Sequence, residues 1–252
     1  IYRQTPKATG SSGHYGSRLV FDRQGMLFVT LGERQIDSQT VFAQDLSRGN
    51  GKVVRITTDG APAPGNPFLG VANVQPEIWS YGHRNPQGAA LHPETGELWE
   101  SEHGPQGGDE INRVLPGRNY GWPIISWGQY YGTTTPWGEG TTKAGMEPPL
   151  AYWETSDGSA WVAGTAKSSI APSGLAFYTG DRLAAWKGNL FTGALAGTAL
   201  WRLTLSGNAV VARARLLAER GERLRDVRQG PDGWLYVLTD GSNGKLLRLQ
   251  VD

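Results

Sequence analysis

Residues 81–123 read YGHRNPQGAALHPETGELWESEHGPQGGDEINRVLPGRNYGWP and hold three of the chain's four histidines, the acidic pair Asp109 and Glu110, and eight glycines. Arg84 and Asn85 stand before Pro86, which keeps Asn85 out of the helical region. A guanidinium with five donors beside an amide suits an anionic, oxygen-rich ligand. Gly104 and Pro105 open a loop that can leave backbone carbonyls unpaired beside carboxylates, the donor set that a hard cation such as Ca²⁺ takes. Asp109 and Glu110 either ligate that cation or cap the turn. His83 is expected to pack or to be solvated, and His92, before Pro93 in the hairpin LHPETGEL, is expected as an exposed turn residue. The spacing makes neither an EF-hand nor a zinc site.

Two further groups lie outside this stretch. His14 sits in the Gly/Ser-rich loop TGSSGHYGS just before an apolar run. It is either a neutral imidazole able to accept a proton at a channel mouth or a solvated loop histidine. Glu33 follows the next apolar run, in LFVTLGERQ, and either orients His14 and raises its basicity or is a plain turn carboxylate. Arg223 and Arg225, in RLRDVRQGPDG, alternate and so share one face of an extended chain. They form a cationic pair for a ligand with several carboxylates or two surface arginines, with Arg228 near the following hairpin. No Gly-x-Ser-x-Gly elbow, P-loop or dinucleotide fingerprint is present.

These residues need elements to hold them. The chain has 252 residues, enough for one domain with a substantial core, and 36 glycines alongside ten Trp and nine Tyr. Many glycines and aromatics in short apolar runs point to an all-β protein with tight turns. A unit of two apolar strands around a Gly/Asp/Pro turn, followed by a later strand, recurs four times: from RLVFDRQGMLFVTLG (18–32), GAALHPETGELWESEHG (88–104), SGLAFYTGDRLAAWKGNLFTGAL (173–195) and RDVRQGPDGWLYVLTDG (225–241). This repeat reads as four blades of a β-propeller with long inserted loops; the alternative is a β-sandwich. Net charge +1 excludes a nucleic-acid or membrane-surface footprint, and no apolar run is long enough to span a bilayer. The absence of cysteine excludes disulfides, thiolate metal sites and a cysteine nucleophile.

The ordered set LFVTLGE, WSYGHRNPQG, SEHGPQGGDEIN, GRNYGWP, SGLAFYTGD and RLRDVRQGPDGWLYVLTD resembles the soluble aldose sugar dehydrogenases of the glucose/sorbosone dehydrogenase family, which use pyrroloquinoline quinone (PQQ). The resemblance covers nearly the whole chain. It implies a six-bladed β-propeller with PQQ and Ca²⁺ at one end of the channel, of which four blades are visible. Residues 1–252 are therefore expected as a single propeller domain lacking one to two N-terminal blades; the opening IYRQTPKATGSSG has neither Met nor a signal-peptide pattern. It also implies a periplasmic or secreted enzyme that oxidises the C1 hydroxyl of aldose sugars, passes hydride to the quinone C5 carbon and then serves an external electron acceptor. By position, His14 matches the catalytic base and Glu33 its acidic support. Arg84, Asn85, Tyr131 and the arginine pair Arg223 and Arg225 match PQQ contacts. Gly104 and Pro105 match the carbonyls that hold the active-site Ca²⁺, and Glu110 and Tyr120 match ligands of a second, structural Ca²⁺. The backbone from Ala194 to Ala196 borders the cofactor, but Ala196 stands where relatives carry a PQQ-binding Lys. One lost charge-assisted hydrogen bond costs about 1.5–3 kcal/mol, roughly ten- to a hundredfold in affinity. That departure keeps open a non-catalytic sugar- or protein-binding propeller; a Ca²⁺-dependent lactonase-type propeller is the remaining alternative.

Overall fold

The structure, a computed structural model, describes residues 1–8 and 10–250. It is all-β, with four antiparallel sheets and only short 3₁₀ turns besides. The first sheet is a meander of β1 (Gly16–Phe21), β2 (Leu27–Leu31), β3 (Lys52–Ile56) and β4 (Ile78–Tyr81). The second follows with β5 (Pro86–Leu91), β6 (Leu98–Glu102), β7 (Asp109–Val114) and β8 (Ala151–Trp153). The third holds β9 (Pro172–Phe177), β10 (Leu190–Ala194), β11 (Ala199–Ser206) and β12 (Ala209–Leu216). The last has three strands, β13 (Leu224–Gln229), β14 (Leu235–Thr239) and β15 (Leu246–Arg248). The four repeats read in the sequence are these four sheets.

The sheets succeed one another as propeller blades. The first strands β1, β5, β9 and β13 lie side by side in that order. Arg18 on β1 reaches Asp226 on β13, Nη1 to Oδ2 at 3.3 Å, so the first and fourth of these strands face each other across the space the four enclose. Hairpin chemistry joins each first strand to its second. In the first sheet Asp22 Oδ1 accepts from the amides of Gln24 and Met26, and Gly25 takes the left-handed φ of +79° that closes the turn.

A layer of apolar side chains fills each gap between neighbouring sheets. Phe28 and Val53 meet Ala89, Leu98 and Val114 between the first two. Trp99, Ile111 and Trp153 meet Leu175, Phe177, Leu190 and Trp201 between the second and third. Ala176, Phe191 and Leu200 meet Val227, Leu235 and Val237 between the third and fourth. Interior strands such as KVVRI are buried along their whole length, whereas the outermost strand β12 is largely exposed.

His92 departs from expectation. It is buried, its ring lying edge-on to Phe177 at 5.0 Å and against Trp99 at 5.6 Å, while Nδ1 accepts from the amides of Glu94 and Thr95. It staples its own hairpin and covers the core beneath. Among the described residues no helix is long and apolar enough to cross a membrane.

The inter-sheet layers carry the stability. Trp153→Ala, at a ring only 1% exposed, is expected to cost about 3–5 kcal/mol in equilibrium urea unfolding. Val211→Ala on the exposed face of β12 should stay within about 0.5 kcal/mol. Equal effects at the two positions would show that the layers are not the core.

Candidate active site at the blade corners

His14, Glu33, Arg84, Asn85, Gly104, Pro105, Ala194, Ala196, Arg223 and Arg225 each come from one corner of a sheet, the start of its first strand or the end of its second, whereas Asp109 and Glu110 lie in β7 and Tyr120 and Tyr131 on the β7–β8 loop. Those two points pair across each sheet, Gly16 with Leu31, Pro86 with Glu102, Pro172 with Ala194, and Leu224 with Thr239. All four pairings carry a register irregularity immediately beside the corner. A bulge bends the strand and re-aims the side chains around it, and the same device recurs at all four corners.

At the first corner His14 takes a left-handed φ of +47°, which a residue with a side chain adopts only at some cost. Its Nδ1 lies 2.5 Å from Glu33 Oε1. Glu33 is 1% exposed, and its amide donates to Arg84 O at 2.9 Å, which ties the first corner to the second. With Nδ1–H donated to the carboxylate, the lone pair of His14 sits on Nε2, on a ring that lines a cleft of about 420 Å³. Burial pushes the imidazole below its ordinary 6.5; the Glu33 hydrogen bond opposes this and the Arg84 charge adds to it.

At the second corner Arg84 is buried. Its Nη1 donates to Gly104 O at 2.6 Å and to His103 O at 3.1 Å, its Nη2 donates to Tyr131 Oη at 3.2 Å, and its Nε has no partner. Asn85 accepts from Gly16 N and from Gln87 Nε2 through Oδ1; its Nδ2 makes no hydrogen bond among the described residues. The 104–108 loop folds so tightly that a Cβ on Gly104 would lie 2.3 Å from the carbonyl oxygens of Gly107 and Gly108. Asp109 caps this loop, accepting from Gly104 N and Ala171 N at 3.0 Å each, although burial pushes its carboxyl up to about 7. The carbonyls expected to be unpaired each have one donor, Arg84 on Gly104 O and Ser169 Oγ on Pro105 O at 3.1 Å. A carbonyl oxygen has two lone pairs, so one remains on each.

At the third corner Ala194 is buried in β10 and Ala196 is exposed, its amide donating to Ile170 O at 3.0 Å. At the fourth, Arg223 and Arg225 converge on one carboxylate, Asp240, at 3.0 and 3.1 Å. Arg223 Nη1 also donates to Leu195 O at 3.4 Å, which sets a guanidinium beside Ala196. Arg84 Nη1 donates to His103 O, and the charges of Arg84, His14 and Arg225 all disfavour a proton on the His103 ring.

A profile of the glucose/sorbosone dehydrogenase family matches residues 1–248. The chain belongs to this family. It is 46% identical over 250 residues to the aldose sugar dehydrogenase YliI of Escherichia coli K12, covering 99% of this chain and 63% of that protein. It is similar to a crystal structure described as glucose dehydrogenase, with 51% identity and a TM-score of 0.89 over the whole of this chain and 68% of that one. A structure described as the PQQ-bound form of aldose sugar dehydrogenase from Streptomyces coelicolor is 32% identical, with a TM-score of 0.72 over 96% of this chain and 63% of that one. The chain thus spans somewhat less than two thirds of the curated relative's length.

Within this family fold, several site groups escaped the sequence reading. His103 Nε2 donates to Pro172 O at 2.7 Å, and burial, with Arg84, His14 and Arg225 nearby, lowers its pKa to about 4. It is a neutral imidazole in the middle of the cationic groups, and its place just before Gly104 was the available signal. Trp122, Trp137 and Tyr130 form a stacked wall of the cleft, with centroids 4.9 and 4.2 Å apart. Gln35, Asp37 and Thr40, from the excursion between β2 and β3, also line it.

Behind Arg84 lies a buried acidic chain. Glu102 and Glu110 are cross-strand partners on β6 and β7, bridged by Asn112 Nδ2. Burial, with Glu100 adding, pushes Glu102 up to about 7; burial and the Glu102 charge push Glu110 well above the usual carboxylate range. These two line, with Gly104, Gly108, Tyr120 and Ser126, a cavity of about 10 Å³, room for one water or small ion. The Tyr120 hydroxyl is committed elsewhere, donating to Arg113 O and accepting from Leu115 N, so only its carbonyl is free to serve as a ligand. His83 packs deeper, its Nδ1 2.7 Å from Glu100 Oε1; burial works against its charge, but Glu100 outweighs it and the pKa is raised. A larger cavity of about 470 Å³ between the first two sheets holds no comparable chemistry, since its one buried cation, Arg55, is saturated by Asp22, Gln24 and Pro64 O.

Glu33→Gln removes the negative partner of His14 and should shift the imidazole pKa further down, read from its ring proton signals in an NMR titration. An unchanged or higher value would show that Glu33 does not govern His14.

Proposed function

We propose that this chain forms the catalytic part of a PQQ- and Ca²⁺-dependent enzyme that oxidises the C1 hydroxyl of an aldose to the lactone. The observation that carries this reading is the His14–Glu33 pair facing the cleft that Arg84 and Tyr131 also line, with the cationic pair Arg223 and Arg225 at the fourth corner. The names of the relatives, an aldose sugar dehydrogenase and a PQQ-bound one, support it.

The residues fit such a cofactor. Arg223 and Arg225 already share one carboxylate and are roughly half exposed, so they can present their donors to the acid groups of a ligand. Arg84 Nε and Asn85 Nδ2 have no hydrogen-bond partner among the described residues. Tyr131 holds Arg84 in place from the cleft side, and Arg223 beside Ala196 supplies a cation where relatives carry a Lys. Backbone from Ala194 to Ala196 closes that edge. The free lone pairs of Gly104 O and Pro105 O would hold the Ca²⁺ of the site. Bound PQQ supplies the hydride acceptor, with Ca²⁺ as its Lewis acid. His14 Nε2 takes the proton of the C1 hydroxyl as hydride leaves C1, and Glu33 stabilises the imidazolium that results. The neutral state that this step requires is the one burial favours.

The small cavity between Glu102 and Glu110, with the Tyr120 carbonyl, fits the second, structural Ca²⁺. Desolvation and the charges of neighbouring carboxylates work against the ionised forms of Glu102 and Glu110, and a divalent ion offsets both. The electrons go on to an external acceptor, and the protein works in the periplasm or outside the cell.

His14→Ala should lower dye reduction with glucose by about 10²–10⁴-fold while PQQ still binds, as followed by its absorbance. A variant that keeps most of its turnover removes His14 from the step, and PQQ-free wild type that hydrolyses lactones favours a hydrolase. In PQQ-free protein, Ca²⁺ at about a hundredfold its Kd should add about 2.7 kcal/mol, seen as a higher melting temperature. Glu110→Gln should reduce that shift to whatever the Gly104–Pro105 site contributes; an equal shift in the variant places the structural ion elsewhere.

A further inference from the structure

Lys52 begins β3 and is fully buried. Its ammonium donates to three main-chain carbonyls, Phe42 O at 3.0 Å, Ala43 O at 2.9 Å and Asn50 O at 2.6 Å. An ammonium has three donors, so this set leaves none over. No carboxylate forms an ion pair with it among the described residues: the nearest one that influences it, Asp45, is paired with Arg48, and the other titratable group within range is His83. A buried cation balanced by carbonyl oxygens alone is costly to keep, and this one is kept at a particular place.

That place is the root of the 32–51 excursion. The 3₁₀ turn Asp37–Ala43 runs from the cleft, where Asp37 and Thr40 form part of the wall, down to Phe42 and Ala43, where its final carbonyls lie over Lys52. Asp45 N already donates to Phe42 O and Gly82 N to Ala43 O, and Lys52 gives each of these terminal carbonyls a second, charged donor. The rest of the excursion is held by Glu33 N on Arg84 O, Gly82 N on Ala43 O, His83 N on Gly51 O, Gln75 N on Leu46 O, Gly49 N on Thr5 O, and Gln44 with Asn119 and Trp122 O, so Lys52 is the one charged group among these ties. There is little room to shift, since a Cβ on Gly51 would lie 2.3 Å from His83 O.

We propose that Lys52 is a positioning residue for substrate: an internal cation that anchors the turn carrying Asp37 and Thr40, and so sets the cleft wall against which the aldose binds opposite His14. This rests on the proposed dehydrogenase reading for its kinetic part only. The cofactor contacts Arg84, Arg223 and Arg225 lie on other loops, so the consequence should fall on sugar and not on PQQ.

Lys52→Met keeps the length of the side chain and removes its donors. The expected result is a fall in kcat/KM for glucose of about ten- to a hundredfold, carried by KM, with PQQ affinity within about twofold of wild type. Hydrogen exchange followed by mass spectrometry should show lost protection in residues 36–51 and none in 190–203. Wild-type KM, or protection lost equally in both segments, overturns the proposal. The chain has no cysteine, so Lys52→Cys offers a second test that survives poor folding of the Met variant. Alkylated while unfolded with 2-bromoethylamine, it regains an ammonium at nearly the native length; alkylated with 1-bromopropane it gains a neutral side chain of the same size. After refolding, the aminoethyl form should recover protection in 36–51 and a low KM, and the propyl form should not. Equal behaviour of the two forms, folded or not, rejects a role for the charge. A wild-type protein without dye reduction would sink the proposed reaction, and the exchange comparison would still decide the anchor.

Discussion

The candidate site is organised round the guanidinium of Arg84 and the backbone on either side of it. The side chain draws in the carbonyls of His103 and Gly104 and the hydroxyl of Tyr131, and lies over the Trp122 ring at 5.1 Å. The main chain of the same residue accepts from Glu33 N and donates to Glu102 Oε2 at 2.9 Å. One residue thereby joins the His14 corner, the Gly104 loop, the aromatic wall and the buried acids. A positive charge held in low dielectric by carbonyl dipoles and one hydroxyl, with Nε left free, is poised for an anionic partner.

The acids behind Arg84 and the cation beneath the excursion belong to one electrostatic arrangement. Glu100, Glu102 and Asp109 are buried on β6 and β7 with Glu110 half-buried beside them, and the positive groups near them are Arg84, His83 and Lys52. Asp109 is used structurally, as a cap on the loop whose carbonyls face the site. Burial, with repulsion between neighbouring carboxylates adding to it, raises the proton affinities of Glu102 and Glu110, and a divalent ion suits the cavity between them.

Much of the fold was legible because its signals are local. Each hairpin advertises itself through Gly, Asp and Pro between apolar runs, and the four repeats map onto the four sheets in register with their turns. The convergence of His14, Arg84 and Arg225 was harder, since it depends on where four separate corners point; the sequence offered only the family pattern for that. His92 was misread because HPETG looks like any exposed turn. Nothing local says that Trp99 and Phe177, the latter 85 positions away, will close over the imidazole. His103 was passed over because its neighbours Gly104 and Pro105 drew attention to the backbone, and Lys52 because GKVVRI is an ordinary strand sequence whose terminal ammonium finds its carbonyls only after the excursion has folded back.

The bulges beside the four corners have a consequence for how the length of this chain can vary. Side chains in a strand alternate faces, so removing one residue at a bulge straightens the ladder and turns that corner's groups away from the mouth. A single-residue deletion near Gly16, Pro86, Ala194 or Leu224 is therefore far more harmful to the site than a longer insertion in the outer hairpin between β11 and β12, whose strand faces solvent. A fusion partner or surface tether for this protein belongs on that rim, where backbone length is free to change without moving the chemistry.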